Sequence, residues 1–146
     1  MQVPHNSCIL VADGKKLLFF RNEGDGLFPK LEVERKQEQT NAPTGDQKSD
    51  GAGQAFASWG AGSHAYSEAD FHELEEDRFA AEAAQMLNRR ALRNEFEALI
   101  VVAPPRTLGE LRKHYHKEVE KRLSAEVAKD LTRHPVSEIE KILIAQ

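Results

Sequence analysis

The sequence predicts an α/β domain: a mixed sheet of about five strands with helices on both faces. Three observations carry that expectation. A short apolar hairpin pattern opens the chain at 8–20, a near-continuous apolar run follows at 96–103, and amphipathic helical patterns flank that run. A hairpin makes an antiparallel pair, whereas strands joined through helices pair in parallel with right-handed crossovers, so both together require a mixed sheet. With 146 residues the chain makes one domain, 1–146, long enough to bury most of its apolar surface in one core.

The elements follow in order. Residues 8–12 and 16–20 are apolar, and Asp13-Gly14 between them is a hairpin signal, because glycine adopts the positive φ that such turns use. Residues 22–26, rich in glycine and acids, read as the next turn. Leu31 and Val33 then alternate with Glu32, Glu34 and Lys36, the two-residue period of an edge strand with one wet face. From about 38 to 67 the periodicity disappears into Gly, Ser, Thr, Asn and Gln. A loop of that length is uncommon in a compact domain, and it reads as long, flexible and either functional or disordered.

Order resumes at Ser67, placed to cap a helix with Asp70 closing the capping box. Ala80, Ala83, Ala84, Leu87 and Ala91 recur there at helical spacing with Phe79 and Met86 beside them, while Glu75, Glu82, Asn88 and Arg89 fall on the other side. So narrow a face suits close packing on a sheet. Residues 96–103 read as a central strand buried on both faces, stopped by Pro104-Pro105. Thr107 is placed to cap a helix that begins at Leu108 and carries Leu111. Leu123, Ala125 and Val127 alternate with smaller or polar residues as a fifth strand. His134-Pro135 opens a last helix, with Val136, Ile139, Ile142 and Leu143 toward the core.

Composition narrows the function classes. Charged residues make up 30% of the chain and the formal net charge is −4, which argues against an indiscriminate grip on nucleic-acid backbones and against DNA as a partner. The single cysteine, Cys8, allows neither an intramolecular disulfide nor a cysteine zinc site and reads as a small buried hydrophobe. Residues 1–7 lack the features of a signal peptide and no apolar run approaches a membrane span, so a cytoplasmic protein without membrane contact is expected.

Four features could carry chemistry. Arg106, Arg112, Lys113 and Lys117 form a candidate RNA or anion patch, although interleaved glutamates also fit a plain solvated helix face. His114 and His116 stand two apart, which on a helix puts them on different faces, and no third ligand follows; neither a metal nor a cofactor is expected. Glu73, Glu75, Glu76 and Asp77 are an acidic run near a helix start, where the macrodipole favours them. Trp59, with Phe56 and Tyr66, lies in the aperiodic stretch, to pack back on the domain or to anchor a protein partner.

Five short stretches carry a resemblance: Ala12-Asp13-Gly14, Arg78-Phe79-Ala80, Val102-Ala103-Pro104-Pro105, Leu108-Gly109-Glu110-Leu111-Arg112 and Lys129-Asp130-Leu131-Thr132. In that order they resemble the bacterial host-attachment protein family, and the likeness spans nearly the whole chain. It implies a non-catalytic binding protein involved in bacterial attachment to host cells; without an export signal an indirect, intracellular role is the easier one. That family is in turn similar to the central domain of archaeal and eukaryotic peptide-chain release factors, which has an RNase H-like fold. In those factors a Gly-Gly-Gln loop between the third strand and the long helix enters the ribosome's peptidyl-transferase centre and helps water attack the peptidyl-tRNA ester.

Here the equivalent segment contains Gly51-Ala52-Gly53-Gln54. The resemblance therefore implies an alternative: a ribosome- or tRNA-associated protein that acts on or senses peptidyl-tRNA through Gly51, Gly53 and Gln54. Gln54 is its one candidate catalytic residue, with Trp59 in the same binding loop. Glycines let backbone approach an ester closely, and a glutamine orients water or donates to developing charge. Ala52 departs from the pattern: a Cβ held at positive φ costs roughly 1 kcal/mol or more. Nuclease chemistry of the RNase H type needs carboxylates on the central strands, and Asp13, the only acid near a strand end, is explained by the turn.

Overall fold

The computed structural model describes residues 1–39 and 68–146. The strands are β1 (Cys8–Ala12), β2 (Lys16–Asn22), β3 (Leu31–Glu38), β4 (Leu99–Ala103) and β5 (Leu123–Ala128). The helices are α1 (Glu68–Leu92), α2 (Pro105–Arg112), α3 (Lys117–Arg122) and α4 (Val136–Ile144). The strands form one sheet in the order β3-β2-β1-β4-β5. The hairpin gives antiparallel β1–β2 and β2–β3 pairs, and the crossovers give parallel β1–β4 and β4–β5 pairs. The mixed five-stranded α/β sheet read from the sequence is the fold.

The two-residue period of the strands divides the core. Cys8, Leu10, Ala12, Leu17, Phe19, Leu99, Val101 and Ala103 are buried on one face beneath α1, α2 and α3. Ile9, Val11, Leu18, Phe20, Ile100 and Val102 are buried on the other, beneath Ile139 and Leu143 of α4. Every residue of β1 and β4 is buried, as a continuous apolar run between two helical layers must be. The alanines 80, 83, 84 and 91 are all within 2% of full burial, which lets α1 lie close to the sheet. Burial pushes the Cys8 thiol up to about 12, against the opposing charges of Arg90 and Arg21.

Local readings are corrected at six points. The β1–β2 turn is centred on Gly14-Lys15, closed by Asp13 N–H donating to the Lys16 carbonyl at 2.9 Å. Gly14 has no positive φ; its hydrogen matters instead because a Cβ there would lie 2.6 Å from Glu76 Oε1. β3 is the edge strand expected, but only Leu31 is buried and Val33 is 52% exposed, so both its faces are largely wet. α2 starts at Pro105, with Pro104 at the N-cap and Thr107 inside the first turn rather than capping it. Proline at the first helical position has its φ preset and no N–H to satisfy. His116, placed on a helix by the sequence, is instead the N-cap of α3, a helix that the pattern did not reveal, accepting from Glu118 N–H. Asn88 is buried, not solvent-facing: it donates to the His114 carbonyl at 2.9 Å and accepts from His116 N–H at 2.8 Å, pinning the α2–α3 turn onto α1. Ser67 lies outside the described residues.

The β2–β3 register shifts between Phe19 and Phe20, whose partners are Arg35 and Val33, leaving Glu34 as the extra residue of a bulge. Glu34 meets Arg21 at 3.1 Å and Arg90 at 2.9 Å, and the Arg90 guanidinium lies 4.2 Å from the Phe19 ring centre. Burial pushes the Glu34 carboxyl up, but hydrogen bonds and charge from the two arginines outweigh it and hold it below 4.5. A carboxyl depressed in the fold contributes stability above its unfolded value and loses it as pH falls. Urea titrations across an acid series are therefore expected to show wild type losing stability more steeply below pH 4.5 than Glu34→Gln. Solvent access limits the difference to about 1 kcal/mol or less.

Gly109 sits inside α2 with nothing within 4 Å of where a Cβ would stand. Glycine in a helix interior costs about 1 kcal/mol relative to alanine. Gly109→Ala is expected to raise the unfolding free energy by that increment, seen as a higher urea midpoint, and an unchanged or lower midpoint would count against this account of α2.

Candidate functional site

The parallel strands β1, β4 and β5 end at the same edge of the sheet, and between their carboxyl ends, α1 and α2 lies a cleft of about 330 Å³. Sites in open α/β sheets favour this position, where connections from neighbouring parallel strands diverge. Here β1 turns away into the β1–β2 hairpin while β4 crosses to β5 through α2 and α3. Each of the five stretches that carry the family resemblance contributes to the lining: Asp13 and Gly14, Ala80, Pro104, Glu110 and Asp130. Residues scattered over more than a hundred positions thus meet at one cleft.

The floor is rigid. Asp13 Oδ1 accepts from Lys15 and Lys16 N–H, both at 2.7 Å, fixing the turn. The hydroxyl of buried Thr132 lies 2.9 Å from Asp13 Oδ2 and 2.8 Å from Asp130 Oδ1 and has a single hydrogen to donate to one or the other. Thr132 N–H also donates to Asp130 Oδ1 at 3.2 Å. Lys129-Asp130-Leu131-Thr132 is therefore a clasp: Leu131 enters the α4-side core while Asp130 and Thr132 hold the β1–β2 turn. Asp13 serves the turn as expected and also forms part of the cleft.

The walls carry charge. Arg106 on α2 bonds Glu73 at 2.9 Å and Asp77 at 3.3 Å on α1. Lys113 pairs with Glu110 at 2.7 Å, and Arg112 with Glu126 of β5 at 2.9 Å. Three of the four cations of the candidate anion patch thus have carboxylate partners; Lys117 has none among the described residues. The hydrogen bonds and charges of these acids push the three side chains above their ordinary values, so they stay fully charged. Glu73, Glu75, Glu76 and Asp77 lie in the second and third turns of α1, not at its start.

The segment 40–67 lies outside the described residues, and its neighbour in sequence is held beside the cleft. Gln39, the last described residue before it, donates from its backbone to the Lys15 carbonyl at 2.6 Å and from its amide to Glu75 at 3.1 Å. α1 begins on the far side at Glu68, two turns ahead of the cleft wall. Gly51, Gly53, Gln54 and Trp59 lie outside the described residues. Glu76, Thr107 and Asp130 were not singled out as cleft residues by pattern; the signal for Asp130 was its place just beyond a strand end, the same place that Asp13 holds.

Among the described residues no cluster of three or more His, Cys, Asp or Glu is placed to hold a metal ion, and no helix is long and apolar enough to cross a membrane. The fold is similar to that of an archaeal translation termination factor, aRF1, at 14% identity and a TM-score of 0.48, covering 96% of this chain and 36% of that one. A second archaeal protein is similar at 12% identity and a TM-score of 0.46, with 94% and 32% covered. The chain spans about a third of the length of each. No curated protein matches it. The family match carries the release-factor side of the resemblance and gives no support to the host-attachment name. The family model that matches covers residues 6–143, and the chain belongs to bacterial archaeo-eukaryotic release factor family 12.

Proposed function

We propose that the protein is a release-factor-like protein that associates with the ribosome or tRNA and acts on or senses peptidyl-tRNA through Gly51–Gln54. The observation that carries this reading is the family match across residues 6–143. The elements that flank it in sequence support it: Gln39, just before residue 40, is held on the β1–β2 turn and on Glu75, and the helix that opens at Glu68 is the longest among the described residues. Hydrolysis on this reading needs Gln54 to orient a water onto the ester carbonyl while the tRNA ribose oxygen leaves with a proton. The paired cations of α2 leave few free charges for phosphate, so any affinity for RNA depends only modestly on salt.

The test is co-sedimentation with bacterial ribosomes at low and moderate salt, with the Gly53→Ala, Gln54→Ala double variant alongside. Binding by wild type and its loss in the variant are expected. Ala52→Gly then separates acting from sensing, since restoring Gly-Gly-Gln is expected to raise the rate of peptidyl-tRNA ester hydrolysis. Wild-type protein that stays in the supernatant at every salt concentration would remove this reading.

A further inference from the structure

The cleft contains polar groups that the fold leaves unused. Thr107 is 8% exposed, lines the cleft, and its hydroxyl has no hydrogen-bond partner among the described residues. α2 has no side-chain cap, and because Leu108 N–H takes the Pro104 carbonyl, the N–H groups of Arg106 and Thr107 remain open at the same wall. Across the cleft the Glu76 carboxylate is folded over Gly14 and has neither a hydrogen bond nor an ion pair among the described residues. A hydroxyl open to the cleft on an otherwise buried residue, a helix start without a cap and a half-buried carboxylate each leave room for a partner that a ligand can supply.

The charge balance selects the ligand. The lining holds the acids Asp13, Glu76, Asp77, Glu110 and Asp130. Its cations are Lys15 and Arg106, and Arg106 is already committed to Asp77 and Glu73. Glu110 is answered by Lys113, and among the described residues Asp13, Asp130 and Glu76 have no cation partner. A free anion is repelled by such a lining. The acids do not converge tightly enough for a metal ion, as the lack of any metal-competent cluster among the described residues shows. An ammonium group donates through separate N–H bonds to more than one acceptor, and its charge suits a lining in which acids outnumber cations. The donors at the start of α2 ask for an acceptor oxygen on the same molecule.

We infer that the cleft binds a small organic ammonium bearing a hydrogen-bond-accepting oxygen, the chemistry of an α-amino group with its neighbouring carbonyl. The ammonium sits against Glu76 and Asp13, and the oxygen accepts from the Thr107 hydroxyl and the first N–H groups of α2. This assignment goes beyond the peptidyl-tRNA reading and holds whether or not Gln54 matters.

The probe is L-alaninamide, kept protonated, titrated into the full-length protein while amide resonances are followed by NMR. Saturable shifts at Gly14, Arg106 and Thr107 are expected. N-acetyl-L-alaninamide, which lacks the charge, is expected not to bind, and ethylammonium, which lacks the oxygen, to bind about tenfold more weakly. Glu76→Gln and Thr107→Val, both nearly isosteric, are each expected to weaken alaninamide by about tenfold with the spectrum otherwise intact. Tighter binding of alaninamide than of free alanine assigns an α-amino acid linked through its carboxyl group, with the amino group free, as the source, and the reverse assigns the free amino acid. Absence of saturable shifts, equal binding of the acetylated probe, or unchanged affinity in both variants overturns the site.

Discussion

Asn22→Ala is expected to lower the unfolding free energy by about 3–4 kcal/mol, a large share of the 5–15 kcal/mol typical of a domain. Asn22 ends β2 with no exposed surface. Its amide donates to the carbonyls of Val3 at 2.8 Å, Asp25 at 3.2 Å and Pro4 at 3.3 Å, and its oxygen accepts from Gly24 and Lys30 N–H, both at 2.9 Å. One side chain thus satisfies the backbone of the N-terminal segment and of both ends of the 23–30 loop. Truncation strands two donors and leaves three acceptors short, and the loop has no slack to re-form them. A Cβ on Gly24, for instance, would stand 2.3 Å from the Phe28 carbonyl oxygen. Urea denaturation followed by circular dichroism measures the effect; a loss under about 1 kcal/mol would show that the loop finds other partners.

The second large effect is expected at Phe19→Ala, about 3–5 kcal/mol for an aromatic ring removed from a closed core. Phe19 is fully buried on the α1 face, and its ring also carries the Arg90 guanidinium that holds Glu34. Phe20, 1% exposed on the α4 face, is the control: the same ring, one position along, with no cation over it among the described residues. Phe19→Ala should exceed Phe20→Ala by roughly the 0.5–2 kcal/mol of a partly desolvated cation–π contact. Introducing Arg90→Met into both backgrounds isolates that contribution. Equal losses in the two alanine variants, with no coupling to Arg90, would mean that the ring acts only through its volume.

The strands and the long helix were legible because their patterns were long and consistent. β1, β4 and the alanine face of α1 each repeat one burial period without interruption. α3 was not, because Lys117–Arg122 offers Val119 as its single apolar residue, too little for a helical period to show. Asn88 was misplaced for a related reason: a polar residue at the border of the apolar face looks solvent-facing until the turn that it pins is known. At Thr107 the preference of threonine for N-caps competed with that of proline for the first helical position, and proline, with φ preset, won. The cleft was the least legible feature. Asp13, Glu76, Thr107 and Asp130 come from four separate elements or turns, and only the sheet order brings them together.

The sheet order also sets a timetable. β1, the central strand, lies against β4, with Leu10 opposite Val101, so one of its two partners is made about 90 residues after it. At the usual pace of 5–20 residues per second, the opening hairpin waits roughly 5–20 s during synthesis with one edge of a wholly apolar strand unpaired. Only the arrival of β4 lets both core layers close. The protein is therefore most exposed to misassociation while it is being made, and a chaperone that shields short apolar edges should matter more to its yield than to its stability once folded.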